Sequence, residues 1–245
     1  MSDGSNPVTG AAGKGAISSA PTVQRMFDRI VPRYDLMNRL MTGGRDRAWR
    51  TMAVKAALES NPIRVADIAT GTGDLAVALA KAQVPRVIAL DFSAGMVQAA
   101  QAKVAPLPTI SLIRGDGMTL PLDDDSIDSL TIGFGLRNMP DYAAAVKEFA
   151  RVVRPGGRIV ILEMTPLKPS LFATAFNWYF RKIVPIVGGW LSGDRAAYDY
   201  LPTSVAAFPD RERLRALLIE AGCSEVTIKP LGFGTVALHV GTVAS

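Results

Sequence analysis

One segment constrains the fold of this chain more than any other: Val65-Ala66-Asp67-Ile68-Ala69-Thr70-Gly71-Thr72-Gly73-Asp74-Leu75. An apolar, strand-like run stops at two glycines, and a helical pattern starts at once. Glycine there lets backbone approach a ligand with no Cβ in the way. A strand, a sharp turn and a helix in that order are the building unit of a parallel sheet. The unit recurs. Strands are expected over Arg64–Ala69, Arg86–Leu90, Thr109–Arg114, Ser126–Gly133 and Arg158–Glu163, and helices over Leu75–Ala82, Ala94–Val104 and Asp141–Val153. This alternation predicts an α/β fold, a mostly parallel sheet with helices on both faces. After Pro209 come a helix over Arg211–Ala221 and two strand-like runs, Ser224–Ile228 and Thr235–Val240. With no helix between them, these two read as an antiparallel hairpin at the sheet edge. Lys229-Pro230-Leu231-Gly232 reads as its turn.

The flanks are of other character. Residues 1–20 are rich in Gly, Ser, Ala and Thr and are expected to be a disordered tail without a secretory signal. Residues 21–245 read as a single domain. Within it, 21–58 is helical, with Val23, Met26, Phe27 and Ile30, then Leu36, Met37, Leu40 and Met41, at helical spacing. Residues 166–208 are an insertion rich in aromatic residues, Pro and Gly. Its apolar stretch Pro169 to Gly193 is cut by Arg181 and Lys182, so no transmembrane helix is expected. The single Cys223 excludes an intrachain disulfide, and with the single His239 it leaves no Cys/His metal site; any Ser-His-Asp triad would have to use His239. Of the net charge of +5, +4 lies in residues 21–50, from seven Arg and three Asp. That patch suits phosphate, anionic lipid or nucleic acid, or is a solvated helix face. The expected setting is cytoplasmic, with peripheral contact at the inner face of the cell membrane at most.

Acids at the strand ends narrow the ligand. Gly71-Thr72-Gly73-Asp74-Leu75-Ala76 fits the loose dinucleotide pattern Gly-x-Gly-x-x-Ala. Asp67, however, would repel an anionic pyrophosphate and suits a ligand with an ammonium and a sulfonium. Asp91 ends the second strand, 20 residues after Gly71, where a carboxylate can accept ribose hydroxyls. Asp116, in Arg114-Gly115-Asp116-Gly117, follows the third strand, where an acid can accept an adenine amino group. Each acid alone could be a helix cap or turn residue; Asp74, in a first helical turn, reads most simply as a dipole partner.

The constellation resembles the class I S-adenosylmethionine-dependent methyltransferases, and Arg154-Pro155-Gly156-Gly157 and the closing hairpin match their pattern. Four further segments resemble the ubiquinone/menaquinone biosynthesis C-methyltransferase family. They are Phe27 to Asn38, Gly133-Phe134-Gly135-Leu136-Arg137-Asn138, Tyr200-Leu201-Pro202 with Ser204, Phe208 and Pro209, and Gly234 to Gly241. The resemblance implies a seven-stranded Rossmann-like sheet with an antiparallel last strand and an N-terminal helical lid. It implies S-adenosylmethionine as cofactor, held by Asp67, Gly71, Thr72, Gly73, Asp91, Asp116, Gly117 and Gly133. Gly133 stands where relatives often carry Ser or Thr, and offers backbone only. The implied reaction is C-methylation of a polyprenylated quinol, leaning to demethylmenaquinol, with the benzoquinol step of ubiquinone synthesis as the alternative. Arg137, Asn138 and Tyr34 are the expected catalytic residues, with no metal. Arg137 would stabilise a phenolate or orient a water, Asn138 would bind the second ring oxygen, and Tyr34 with Asp35 would close over the cofactor. Alternatively Arg137 pairs with Asp128 or Asp141.

Leu171-Phe172, Phe176, Trp178-Tyr179-Phe180 and the basic Lys168, Arg181 and Lys182 fit a prenyl tail or an anionic membrane surface. The same stretch would serve a core-packed helix or a contact in a homo-oligomer. Four rival functions are weaker. A nicotinamide-dependent oxidoreductase conflicts with Asp67, and an O-methyltransferase on a small phenol with the apolar insertion. A nucleic-acid partner conflicts with the lack of an aromatic platform in residues 21–50, and a vestigial, non-catalytic pocket with the complete acid set.

Overall fold

The computed structural model describes residues 42–171 and 195–245, together with 31, 35, 38, 39, 173–176, 178–180 and 182. For 195–199 it describes the backbone only. The expected tail, Tyr34 and Arg181 lie outside the described residues.

Seven strands form one sheet: β1 (Arg64–Ile68), β2 (Arg86–Asp91), β3 (Ile110–Arg114), β4 (Ile127–Gly133), β5 (Val153–Met164), β6 (Cys223–Leu231) and β7 (Val236–Val243), in the order β3-β2-β1-β4-β5-β7-β6. The first five are parallel, and β7 runs antiparallel to both of its neighbours. Six helices with defined bounds accompany them: α1 (Asp46–Leu58), α2 (Asp74–Lys81), α3 (Ala94–Val104), α4 (Tyr142–Val152), α5 (Arg195–Ala207) and α6 (Arg211–Glu220). Side chains alternate across the strands. Ala66, Ile68, Leu130, Ile132, Ile159 and Ile161 pack on α4 and α6. Val65, Val87, Ala89, Val160, Leu162 and Leu238 pack on α1 and α2. Two dry layers therefore clamp the sheet, each large buried side chain contributing about 1.5–3 kcal/mol. Ser93, Asp141 and Asp210 cap α3, α4 and α6, each accepting a backbone N–H of the first turn.

Two expectations need correction. The closing hairpin turns at Gly232–Thr235, not at Lys229–Gly232. Lys229, Pro230 and Leu231 belong to β6 and pair with Leu238, Ala237 and Val236. Pro230 is tolerated because β6 is the edge strand, where a missing N–H breaks no ladder. β5 also begins before the expected Arg158. Val153 already pairs with Ile127, the register then shifts, and Gly156 takes φ 72 within the irregularity.

Candidate active site

Strand order reverses between β1 and β4, so the crevice outside their carboxyl ends is where such a sheet binds ligands. The turn leaving β1 passes through left-handed backbone at Ala69 (φ 51), Gly71 (57) and Gly73 (85). Two backbone bonds hold it, Thr70 N–H to the Leu90 carbonyl and Gly73 N–H to the Thr70 carbonyl. Asp67 lies beneath it, 1% exposed. Its oxygens accept from the hydroxyls of Thr70 (2.6 Å) and Thr131 (2.8 Å). Burial pushes the Asp67 carboxyl up to about 6, against the pull of those hydrogen bonds. Both Asp67 oxygens are thus engaged by protein hydroxyls. Asp91 Oδ2 accepts from Gly71 N–H (2.8 Å) and Oδ1 from Ser93 N–H (2.9 Å), so one carboxylate ties the glycine turn to the start of α3. Asp116 is exposed, and its Oδ1 accepts from Met118 N–H in a local turn. Gly117 is buried against Met139 and Ile68.

Above the turn sits a charged clasp. Asp35, in a helical stretch with Asn38, Arg39 and Thr42, accepts from Thr72 Oγ1 and from Lys103 Nζ, each at 2.6 Å. Lys103, in the last turn of α3, also donates to Asp74 at 2.7 Å. Arg50 bridges Asp74 (3.5 Å) and Asp46. Burial alone would raise the Asp35 carboxyl, but the hydrogen bonds from Lys103 and Thr72 hold it below its ordinary value. Part of the basic patch in 21–50 is therefore neutralised internally. Asp74 is more than a dipole partner, because it anchors this network.

At the end of β4, Gly133 leads into a short 3-10 turn, Leu136–Asn138. A Cβ on Gly133 would meet only Leu75 Cδ2, at 3.4 Å. Arg137 pairs with Glu163 at the end of β5, not with Asp128 or Asp141. The guanidinium donates to Glu163 Oε1 (2.6 Å) and to the Phe134 carbonyl (2.7 Å), and Arg137 N–H donates to Oε2 (3.2 Å). Asp128 instead binds Arg154, and Asp141 caps α4. Asn138 directs both ends of its amide to protein: Nδ2 donates to the Phe134 carbonyl (3.3 Å) and Oδ1 accepts from Tyr200 OH (3.1 Å). Burial pushes the Tyr200 phenol up to about 12, so it stays a donor.

Arg137 and Phe134 also line a mostly apolar cavity that reaches Trp49, Phe176, Phe180 and Leu201. His239 is remote from this chemistry. It is fully buried on the α6 face of β7, where Nε2 meets the Arg211 carbonyl at 3.0 Å and burial lowers its pKa. Among the described residues no His/Cys/Asp/Glu group could hold a metal ion.

Sequence reasoning passed over Glu163, Lys103 and a role for Tyr200. Glu163 had a signal, an acid closing the apolar run Ile159–Leu162. Lys103 had none, being one more basic residue in a last helical turn. The set suits a ligand with a ribose and a cationic end: acids at three strand ends, one of them buried below the turn, and a turn open to backbone contact.

Residues 16–243 match the ubiE/COQ5 methyltransferase family. The demethylmenaquinone methyltransferase of Thermus thermophilus is 45% identical over 219 residues, which cover 88% of this chain and 99% of that protein. The ubiquinone/menaquinone biosynthesis C-methyltransferase UbiE of Geobacter sulfurreducens is 40% identical over 224 residues, 89% of this chain and 87% of that one. Among solved structures, a SAM-dependent methyltransferase of Thermotoga maritima superposes with a TM-score of 0.64 at 20% identity, covering 89% of this chain and 98% of its own. At that identity the likeness bears on the fold alone.

Proposed function

Since the chain belongs to the ubiE/COQ5 methyltransferase family, we propose that it transfers the methyl group of S-adenosylmethionine to a ring carbon of a polyprenylated demethylmenaquinol, giving menaquinol. The observation that carries the reading is the apolar cavity with Arg137 in its wall, paired to the buried Glu163. Phe134 lines it, one residue after Gly133, which faces Leu75 in the helix that follows the glycine turn. An aromatic ring in the cavity and a cofactor on the turn are then neighbours.

Bound, S-adenosylmethionine supplies a methyl group activated by its sulfonium. Gly71, Thr72 and Gly73 would let backbone approach it. Asp91 would accept from its ribose, Asp116 from its adenine amino group, and the field of Asp67 favours its cationic end. Gly117 and Gly133 would contact it by backbone. On the substrate side, Arg137 is charged at any working pH and so is no base. Its guanidinium would stabilise the phenolate that makes the neighbouring ring carbon nucleophilic, while water takes the phenol proton. Once that carbon carries the methyl group, its own hydrogen leaves as a proton and the ring oxygen is protonated through water, which restores the aromatic quinol. Asp35 holds Thr72 and Lys103 beside the glycine turn, and the part expected of Tyr34 in closing over the cofactor lies outside the described residues. Holding the ring in line contributes up to ~7–11 kcal/mol of the barrier reduction.

The test is a methyl-transfer assay in detergent with S-adenosylmethionine and two chemically reduced substrates, a demethylmenaquinol and a demethylated ubiquinol precursor, followed by product mass. Turnover of the first supports the proposal. Turnover of the second alone moves it to the benzoquinol step, which the name of the Geobacter relative also covers. Turnover of neither, with cofactor bound in a calorimeter, discards the quinol.

The prenyl tail implies a membrane source. No helix among the described residues is long and apolar enough to cross a bilayer. Leu171, Trp178, Tyr179 and Phe233 are nonetheless 93%, 62%, 48% and 81% exposed, and Arg45 lies over the Phe233 ring. Large apolar side chains beside cations suit an anionic membrane surface. Anionic liposomes should retain the protein, and Trp178→Glu should weaken retention. No retention at low salt removes this part of the reading.

A further inference from the structure

The cavity holds a second polar group with no role so far. Asn38 lines it together with Arg137 and Phe134. Its Nδ2 is buried, and among the described residues no group meets it. A buried amide donor left unmet is costly, so an orphan on a side chain that lines a cavity marks a place where a ligand acceptor restores the bond. The backbone carbonyl of Asn38 accepts from Thr42 Oγ1 at 2.7 Å, and the same hydroxyl lies 3.1 Å from Asp46 Oδ1, while Arg50 binds the other oxygen of that carboxylate. The Asn38 backbone is thus tied to α1 through a partly buried polar chain.

We propose that Asn38 Nδ2 is the donor that binds a ring oxygen of the substrate, in the cavity that also exposes Arg137. The assignment rests on the quinol reading above and deepens it. Two observations favour Asn38 for this role over Asn138. Asn138 has both amide ends engaged by Phe134 and Tyr200, and Arg137, not Asn138, is among the cavity-lining residues. The matching ligand is flat and apolar with an oxygen acceptor at its edge. The ring then meets a cation at one oxygen and a neutral donor at another. A site built around hydrogen-bonding a ring oxygen rejects the analogue that lacks it.

Calorimetry on the full chain with S-adenosylhomocysteine present tests this, using menadione and 2-methylnaphthalene. The two probes share a carbon skeleton and differ in their ring oxygens. In Asn38→Leu, which keeps apolar bulk but has no donor, menadione affinity should fall about three- to tenfold while 2-methylnaphthalene stays within about twofold. KM for demethylmenaquinol should rise by a similar factor. An equal loss for both probes would mean that Asn38 only packs, and unchanged affinity for both would mean that it touches neither; each overturns the proposal. If the parent protein itself binds no menadione, the quinol reading falls and the assignment falls with it. That result is distinct, because it appears before any substitution. Circular dichroism and S-adenosylhomocysteine affinity, expected to be unchanged in the variant, separate these outcomes from misfolding.

Discussion

The buried pair at the ends of β4 and β5 allows a sharp prediction. Glu163 is fully buried and Arg137 is 7% exposed. Glu163 accepts from the Arg137 guanidinium and backbone, and from Met164 N–H at 2.8 Å. Glu163→Gln keeps the size and one carbonyl oxygen, but turns an NH2 toward one of these donors and leaves the guanidinium without its countercharge. Breaking a buried pair from one side costs about 3–5 kcal/mol. For a chain of this length each kcal/mol moves the thermal midpoint by about 2–4 °C, so a fall of about 6–20 °C is expected. The assay is urea and thermal unfolding followed by circular dichroism, with an unchanged m-value as the check that the end states are the same. Arg137→Met with Glu163→Leu removes both charges at once. Apolar replacement of a whole buried pair is often neutral, so the double variant should be more stable than Glu163→Gln. A loss under about 1 kcal/mol in Glu163→Gln, or a double variant as unstable as the sum of the singles, would refute the reasoning.

Three other outcomes are expected. Asp67 titrates near 3.8 when unfolded and about 6 in the fold, so the stability from its tighter proton is present below pH 3.8 and lost as pH rises to about 6, ~3 kcal/mol in all. Asp67→Asn should therefore gain on the parent by about that amount between pH 4 and 7, and parallel profiles would remove the assignment. Lys103→Met opens the clasp between Asp35 and Asp74. S-adenosylmethionine affinity should fall about threefold at low salt, with the gap closing at high salt because the pairs are partly exposed and screened; equal calorimetric affinities at low salt would contradict it. In Gly135→Ala the new Cβ would lie 2.5 Å from Ala69 Cβ, whose backbone is held at φ 51, whereas in Gly117→Ala it would meet the flexible Met139 Cε at 2.6 Å. The first should lose about 1–3 kcal/mol in urea unfolding and the second clearly less; equal losses would show that the Ala69 turn is not rigid.

The difference between what could and could not be read beforehand lies in where each residue finds its partner. Strand ends are marked locally. Apolar runs place β1 to β4 within a residue or so, and Asp91 is recognisable as the acid that closes β2, 20 residues after Gly71. Pro230 misled for the converse reason: as a turn former it signals a loop, and only its place on the edge strand makes it harmless. Glu163 showed as an acid ending an apolar strand, yet its partner lies 26 residues away and arrives only through the parallel pairing of β4 with β5. The clasp is more remote still, since Lys103 reaches Asp35 across 68 residues and two helices that share no periodic signal. Asn38 lies within a segment recognisable from sequence, but its function depends on an empty donor, a property of three-dimensional packing that no spacing records. The acids at the strand ends can therefore be located by counting from a glycine turn. The Lys103 clasp and the Arg137–Glu163 pair need the tertiary pairing that brings distant elements together.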